Sequence, residues 1–156
     1  MNKIKMICEV SEEYELGLKI KSSKDIYKNI LPFFDDVINY KERMAVICLN
    51  KANDIVGYNV ISEGGVSGTV VDVKIIMQHA ILTNSSHIIM IHNHPSGNLK
   101  PSVNDIKITS KIKQACSVMD VELLDHLIIS SSDYYSFADE GLIKRFANEY
   151  DQKFSS

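Results

Sequence analysis

Residues Ile88–Ile91 form an unbroken apolar run that ends in His92-Asn93-His94-Pro95. A strand with one solvated face alternates apolar and polar residues, whereas an unbroken apolar run is what a strand buried on both faces requires. Such a strand needs a covering layer on each side, and no other feature constrains the fold as tightly. Residues 92–101 are polar and carry the turn residues Pro95, Gly97 and Pro101. Ser102 then opens a helix that runs to about Met119, with Ile108, Ile112, Ala115/Cys116 and Met119 facing inward.

The flanking sequence supplies the other layers. An edge strand is expected around Tyr14–Ile20. Ser23 is the expected N-cap of a helix reaching about Phe34, with Ile26, Ile30 and Phe33/Phe34 on its apolar face and Pro32 distorting its last turn. Glu42–Leu49 reads as a strand in which Met44, Val46 and Cys48 alternate with Arg43, Ala45 and Ile47. The polar turn Asn50–Asp54 joins it to a second strand, Ile55–Ser62, as a hairpin. Gly64, Gly65 and Gly68 mark a loop, and a helix follows at Asp72–Leu82, with Ile75/Ile76, His79/Ala80 and Leu82 at helical spacing. Val121–Ile129 and Tyr134–Phe137 read as strands and Asp139–Tyr150 as a helix. Strands and helices interspersed in this way predict an α/β fold, a mixed β-sheet flanked by helices.

Composition narrows the function classes. The chain has 156 residues, the size of one domain, and its 45% hydrophobic content is enough to build a core. A net charge of −3 is the opposite of the balance expected for a strongly basic nucleic-acid binder, and the absence of Trp argues against a base-stacking platform. Cys8, Cys48 and Cys116 are odd in number and form no C-x-x-C pair, which fits a reducing compartment. The positive start Met1–Lys5 is followed by no apolar signal segment, and the apolar runs are too short for a bilayer. A cytoplasmic location with no membrane contact is expected.

The chemistry lies between residues 92 and 105. In extended backbone, residues i and i+2 point to the same side, about 6.5–7 Å apart at Cα, so His92 and His94 can converge on one ion. Pro95 pushes His94 toward the β region, which favours this geometry. Asp105 stands three residues into the helix that Ser102 caps, so its carboxylate projects back toward the loop. Two histidines and a carboxylate match the three-ligand set of hydrolytic zinc sites, with the fourth position left for water. Plainer readings exist for each residue taken alone. An H-x-H pair can be solvated, Asp105 can complete an S-x-x-D capping box with Ser102, and the prolines and Gly97 are ordinary turn residues.

The complete string is H-x-H-P followed by S-x-x-D, with ten residues between His94 and Asp105. It resembles the motif of the JAMM (MPN/Mov34-type) metalloproteases, and His92, His94, Pro95, Ser102 and Asp105 all match. The wording HNHPSG with the following PS resembles the bacterial RadC-like branch. That resemblance covers roughly residues 22–146, including Leu124-Asp125-His126-Leu127-Ile128-Ile129, Tyr135-Ser136-Phe137 and Glu140-Gly141-Leu142. It implies a cytidine-deaminase-like JAMM (MPN) architecture and a zinc-dependent metallopeptidase or isopeptidase. It further implies one Zn2+ per chain on His92, His94 and Asp105, with Ser102 steadying the oxyanion of a tetrahedral intermediate. The family also uses a glutamate at the start of an early strand as the base for the activated water. Glu42 occupies that place, and Glu63 is its rival.

The resemblance divides the chain into an extension over residues 1–21, a catalytic-type domain over 22–150 and a tail over 151–156. Lys74 stands where the family usually carries an arginine, which weakens any contact made through a guanidinium fork. Longer members carry a helix-hairpin-helix DNA-binding module, and the residues before the domain show no hairpin glycine pattern. The expected partner is therefore a peptide or amide-containing substrate, without direct nucleic-acid binding. A DNA repair or recombination factor with little or no peptidase activity is the alternative, and a binding or scaffold domain a third. His126 is expected as a hydrogen-bonded core histidine behind the ligands, while His79 and His87 receive no role.

Overall fold

Two adjacent serines compete to open the first helix, and the spacing to Asp25 decides between them. In a computed structural model, which describes residue 9, residues 19–64 and residues 71–154 (150–154 by backbone only), Ser22 rather than Ser23 is the cap. Its hydroxyl accepts the Asp25 amide proton and starts α1 (Ser23–Ile30). Pro32 lacks an amide proton, so the chain tightens there into a 3₁₀ turn, Leu31–Phe34, instead of continuing the α-helix. Most of the edge strand expected around Tyr14–Ile20, together with Cys8, Gly65 and Gly68, lies outside the described residues. Lys19 makes only an isolated antiparallel bridge to Asp54.

The strands β1 (Arg43–Leu49) and β2 (Ile55–Glu63) form the expected antiparallel hairpin. They are followed by α2 (Val73–Leu82), β3 (His87–Asn93), α3 (Val103–Val118), β4 (Glu122–Ile129), β5 (Tyr134–Ser136) and α4 (Leu142–Phe154). The five strands make one mixed sheet in the order β2-β1-β3-β4-β5, in which only β3 and β4 run parallel, joined by the α3 crossover. The apolar run identified above thus lies in the central strand, buried on both faces.

Alternation along the strands divides the core in two. Met44, Val46, Cys48, Ile88 and Met90 pack with buried residues of α2, α3 and α4 on one face. Ala45, Ile47, Leu49, Ile89 and Ile91 pack with α1 and the 3₁₀ turn on the other. Cys48 and Cys116 are buried. Among the described residues, no helix is long and apolar enough to cross a membrane.

Two inward faces and the bounds of the last helix differ from expectation. In α2 the buried residues are Ile76, Met77 and Ala80, while Ile75 and Leu82 lie on the opposite flank at 38% and 39% exposure. In α3 Thr109, Ile112, Lys113 and Cys116 are buried. Met119 is the C-cap of α3, bonded through its amide to the Ala115 and Cys116 carbonyls, and its side chain is exposed. The last helix starts at Leu142 because residues 138–141 form a turn closed by Gly141 at φ +74°, and its backbone stays helical to Phe154, beyond the expected boundary at 150.

A β-bulge in β4 has a direct effect on the site. Ile88 pairs with Leu123 but Ile89 pairs with Asp125, so Leu124 is the extra residue. A bulge reverses the facing of every residue beyond it. Leu123 and Ile128 accordingly share one core face, and His126 turns onto the face that carries Met90 and His92.

Candidate metal centre

His92 is the penultimate residue of β3, and the His94 amide continues the ladder by donating to the Ile129 carbonyl at 3.3 Å. Extended backbone brings the two rings to a centroid separation of 4.7 Å, with their Nε2 atoms 3.0 Å apart. Beyond His94, Pro95 and Ser96 form a turn, and Gly97, at φ +73°, donates its amide to the His94 carbonyl. A side chain is strained at that φ, so glycine lets the loop double back. The Asn98 carbonyl is thereby placed 2.5 Å from His94 Nδ1.

The hydrogen bonds fix where the ring protons lie. A carbonyl only accepts, so His94 carries its proton on Nδ1 and presents an Nε2 lone pair. Thr109 Oγ1 donates to the Asp105 carbonyl and therefore accepts from His126 Nδ1, 2.7 Å away. Burial and the neighbouring His92 hold the wholly enclosed His126 well below the ordinary histidine pKa, so it is neutral. Its Nε2 then accepts from His92 Nδ1 at 2.9 Å, which leaves the His92 Nε2 as a lone pair as well. Asp105 Oδ1 lies 3.4 Å from His92 Nε2, and Oδ2 lies 3.6 Å from His94 Nε2.

Three acceptors thus converge, one ligand atom from each of His92, His94 and Asp105, all within 4.8 Å of one another. Facing lone pairs beside a carboxylate repel one another unless a proton or a metal cation lies between them, and imidazole nitrogens with a carboxylate oxygen form a donor set suited to zinc. The residues present fit such an ion. Burial raises the Asp105 pKa, but the His92 and His94 rings outweigh it and hold the carboxyl well below the usual range. The Asp105 carboxylate, 3.6 Å away, raises the His94 pKa against the opposing effect of burial.

Both readings of Asp105 hold together. Its Oδ2 accepts the Ser102 amide proton at 2.6 Å and Ser102 Oγ accepts the Asp105 amide proton at 3.1 Å, a complete capping box. The box fixes the carboxylate as it faces the histidines. The Ser102 hydroxyl also bonds the Asp105 carboxylate and helps to hold that carboxyl below its usual range.

Glu42 immediately precedes β1 and shares a cleft of about 280 Å³ with Asp105. Its carbonyl accepts the Gly64 amide proton at 2.9 Å. Its rival Glu63 does not line that cleft. Lys41, at 2.8 Å, and Arg43 hold the Glu63 carboxylate and lower its pKa, the Lys41 hydrogen bond being the larger effect. Arg43 also grips both carboxylate oxygens of Asp36. Lys74 is exposed in the first turn of α2 and makes no ion pair among the described residues.

Two supporting residues were not singled out from the sequence. Asn93 is fully buried and points to the face opposite the histidines. Its Oδ1 accepts the Arg43 amide proton at 2.8 Å, and its Nδ2 donates to the Ile38 and Lys41 carbonyls at 3.0 and 2.9 Å, so it clamps the backbone on both sides of Glu42. Thr109 is the second, through its bonds to His126 and the Asp105 carbonyl. A polar residue inside an apolar stripe was the signal available for each.

The RadC-like JAB domain family matches residues 20–142. A UPF0758 protein of Flavobacterium johnsoniae is 42% identical over 124 residues, covering 80% of this chain and 53% of the relative. One from Porphyromonas gingivalis is 41% identical over 134 residues, covering 85% and 58%. One from Methanosarcina barkeri is 34% identical over 126 residues, covering 81% and 54%. The chain spans a little over half the length of these relatives.

Proposed function

The chain belongs to the RadC-like JAB domain family, and on that premise we propose that it is a zinc-dependent hydrolase of amide bonds, a metallopeptidase or isopeptidase. The observation that carries this reading is the convergence of two imidazole lone pairs and one carboxylate beside a cleft that also holds Glu42. His92, His94 and Asp105 would hold one zinc ion per chain. Bound zinc supplies Lewis acidity toward a carbonyl oxygen and lowers the pKa of water toward about 7.

The chain's own groups do the rest. Glu42 takes a proton from the attacking water as its oxygen bonds to the amide carbon, and returns that proton to the nitrogen as the C–N bond breaks. Ser102 turns its hydroxyl from the Asp105 carboxylate to the oxyanion and donates its proton there, a contact of the kind whose loss costs about 10²–10³ in kcat. Asn93 keeps the Glu42 backbone in register with the β3 end that carries His92. The substrate is a peptide or another amide-containing molecule in the cytoplasm. Nucleic acid is not a direct partner, a reading supported by the net charge of −3.

The test uses zinc-loaded protein and a peptide-amide library. Glu42→Gln should keep its zinc and lose hydrolysis. Unchanged turnover would remove Glu42 from the mechanism, and zinc-loaded wild type that cleaves no amide would remove the hydrolase reading.

A further inference from the structure

The helix that brings Asp105 to the metal centre presents a second stripe of side chains. Asp105, Thr109, Ile112 and Cys116 recur at helical spacing and face the cluster and the core. Asn104, Lys107, Ile108 and Lys111 recur at i, i+3, i+4 and i+7, and all four line the cleft of about 280 Å³ that Glu42 and Asp105 also border. Met44 and Val71 join Ile108 as its apolar lining.

The charges along this cleft are unequally satisfied. Asp105 is held by two histidines and the Ser102 amide. Lys107 and Lys111 are exposed and form no ion pair among the described residues, whereas Lys41, Arg43 and Arg145 all do. Two ammonium groups one helical turn apart, at the edge of a concave surface, attract an anion.

Resting on the amide-hydrolase reading above, we infer that this cleft is a substrate subsite in which Lys107 and Lys111 read a carboxylate of the peptide. The distance sets where that carboxylate lies. Along α3, Lys111 stands about 9 Å beyond Asp105 at about 1.5 Å per residue. An extended peptide advances about 3.3 Å per residue. An acidic side chain or terminal carboxylate two or three residues from the reacting amide therefore reaches the lysines. The apolar residue between them lies on Met44, Val71 and Ile108. The preferred substrate class is a peptide with an apolar residue followed by an acidic group on the side of the scissile bond that enters this cleft.

Binding and cleavage are measured on the same hexapeptides, each carrying a neutral coumarin label and one aspartate, alanine or lysine at each position in turn. By fluorescence anisotropy on zinc-loaded protein, the aspartate peptides should bind about tenfold or more tighter than their lysine counterparts at low salt, with the difference shrinking as salt rises. The exposed charge reversal K107E/K111E, checked by its unfolding curve, should invert that order. Equal binding of acidic and basic peptides, no binding of either, or an order untouched by the reversal would overturn the subsite. So would displacement of every peptide by a short oligothymidylate that itself binds through the two lysines, which would assign them to phosphate. A charge preference without cleavage would leave the subsite standing and remove the hydrolase reading. Cleavage without a charge preference would do the reverse.

Discussion

The candidate metal centre has two sides built on opposite principles. On the sheet side, His92, Asn93, Asp125 and His126 are nearly or wholly buried, and their side chains are engaged in hydrogen bonds. On the helix side, Ser102, Asn104, Lys107 and Lys111 are exposed, and the two ammonium groups form no ion pair among the described residues. Buried polar groups must be satisfied within the protein, so the sheet side is rigid and specifies one geometry. Exposed groups can exchange water for a ligand at little cost. In the proposed hydrolase, the difference would separate what holds the reaction centre from what chooses a substrate.

The largest expected contrast is in pH dependence. Burial pushes the Asp125 carboxyl up to about 6 from 3.8, although Ser136, Ala138 and His126 all donate to it. The folded state therefore holds this proton more tightly than the unfolded state does. That contribution to stability is complete below about pH 4 and is lost as pH rises through about 6. In urea unfolding, the wild type should lose about 2–3 kcal/mol relative to Asp125→Asn between pH 4 and 7. Parallel pH profiles would break the contrast on its buried side.

A smaller effect is expected at the ligand support. Thr109→Val removes the acceptor that sets the His126 tautomer and, through it, the His92 lone pair. Zinc affinity, measured by chelator competition, should fall about 10–100-fold while the chain stays folded. Unaltered affinity would mean that the chain of hydrogen bonds does not orient His92. The smallest effect belongs to the helix side: Lys107→Ala should change unfolding stability by no more than about 0.5 kcal/mol. A larger loss would show that this lysine is part of the packing and not a free surface.

What was legible in the sequence was what depends on local spacing. The apolar run fixed the central strand, H-x-H placed two rings on one side, and S-x-x-D capped α3 and aimed Asp105. The same S-x-x-D logic picks Ser22 over Ser23, because only Ser22 stands three residues before Asp25. In α2, Val73, Ile75, Ile76, Met77, Ala80, Ile81 and Leu82 surround the helix with apolar residues, so periodicity could not select the buried flank. The bulge at Leu124 depends on pairing with β3, and without it His126 would point toward α1 rather than under His92. Asn93 likewise acquires its role from a loop 52 to 55 residues earlier in the chain. Distant register, not residue identity, was the missing information.

The account rests on His92, His94 and Asp105 holding zinc, and metal content tests that most directly. Protein produced with zinc, dialysed and measured by mass spectrometry should carry about one zinc ion per chain, and His92→Ala and Asp105→Ala, still folded, should carry none. Wild-type protein that stays metal-free in zinc-supplemented buffer, or variants that keep their zinc, would contradict it.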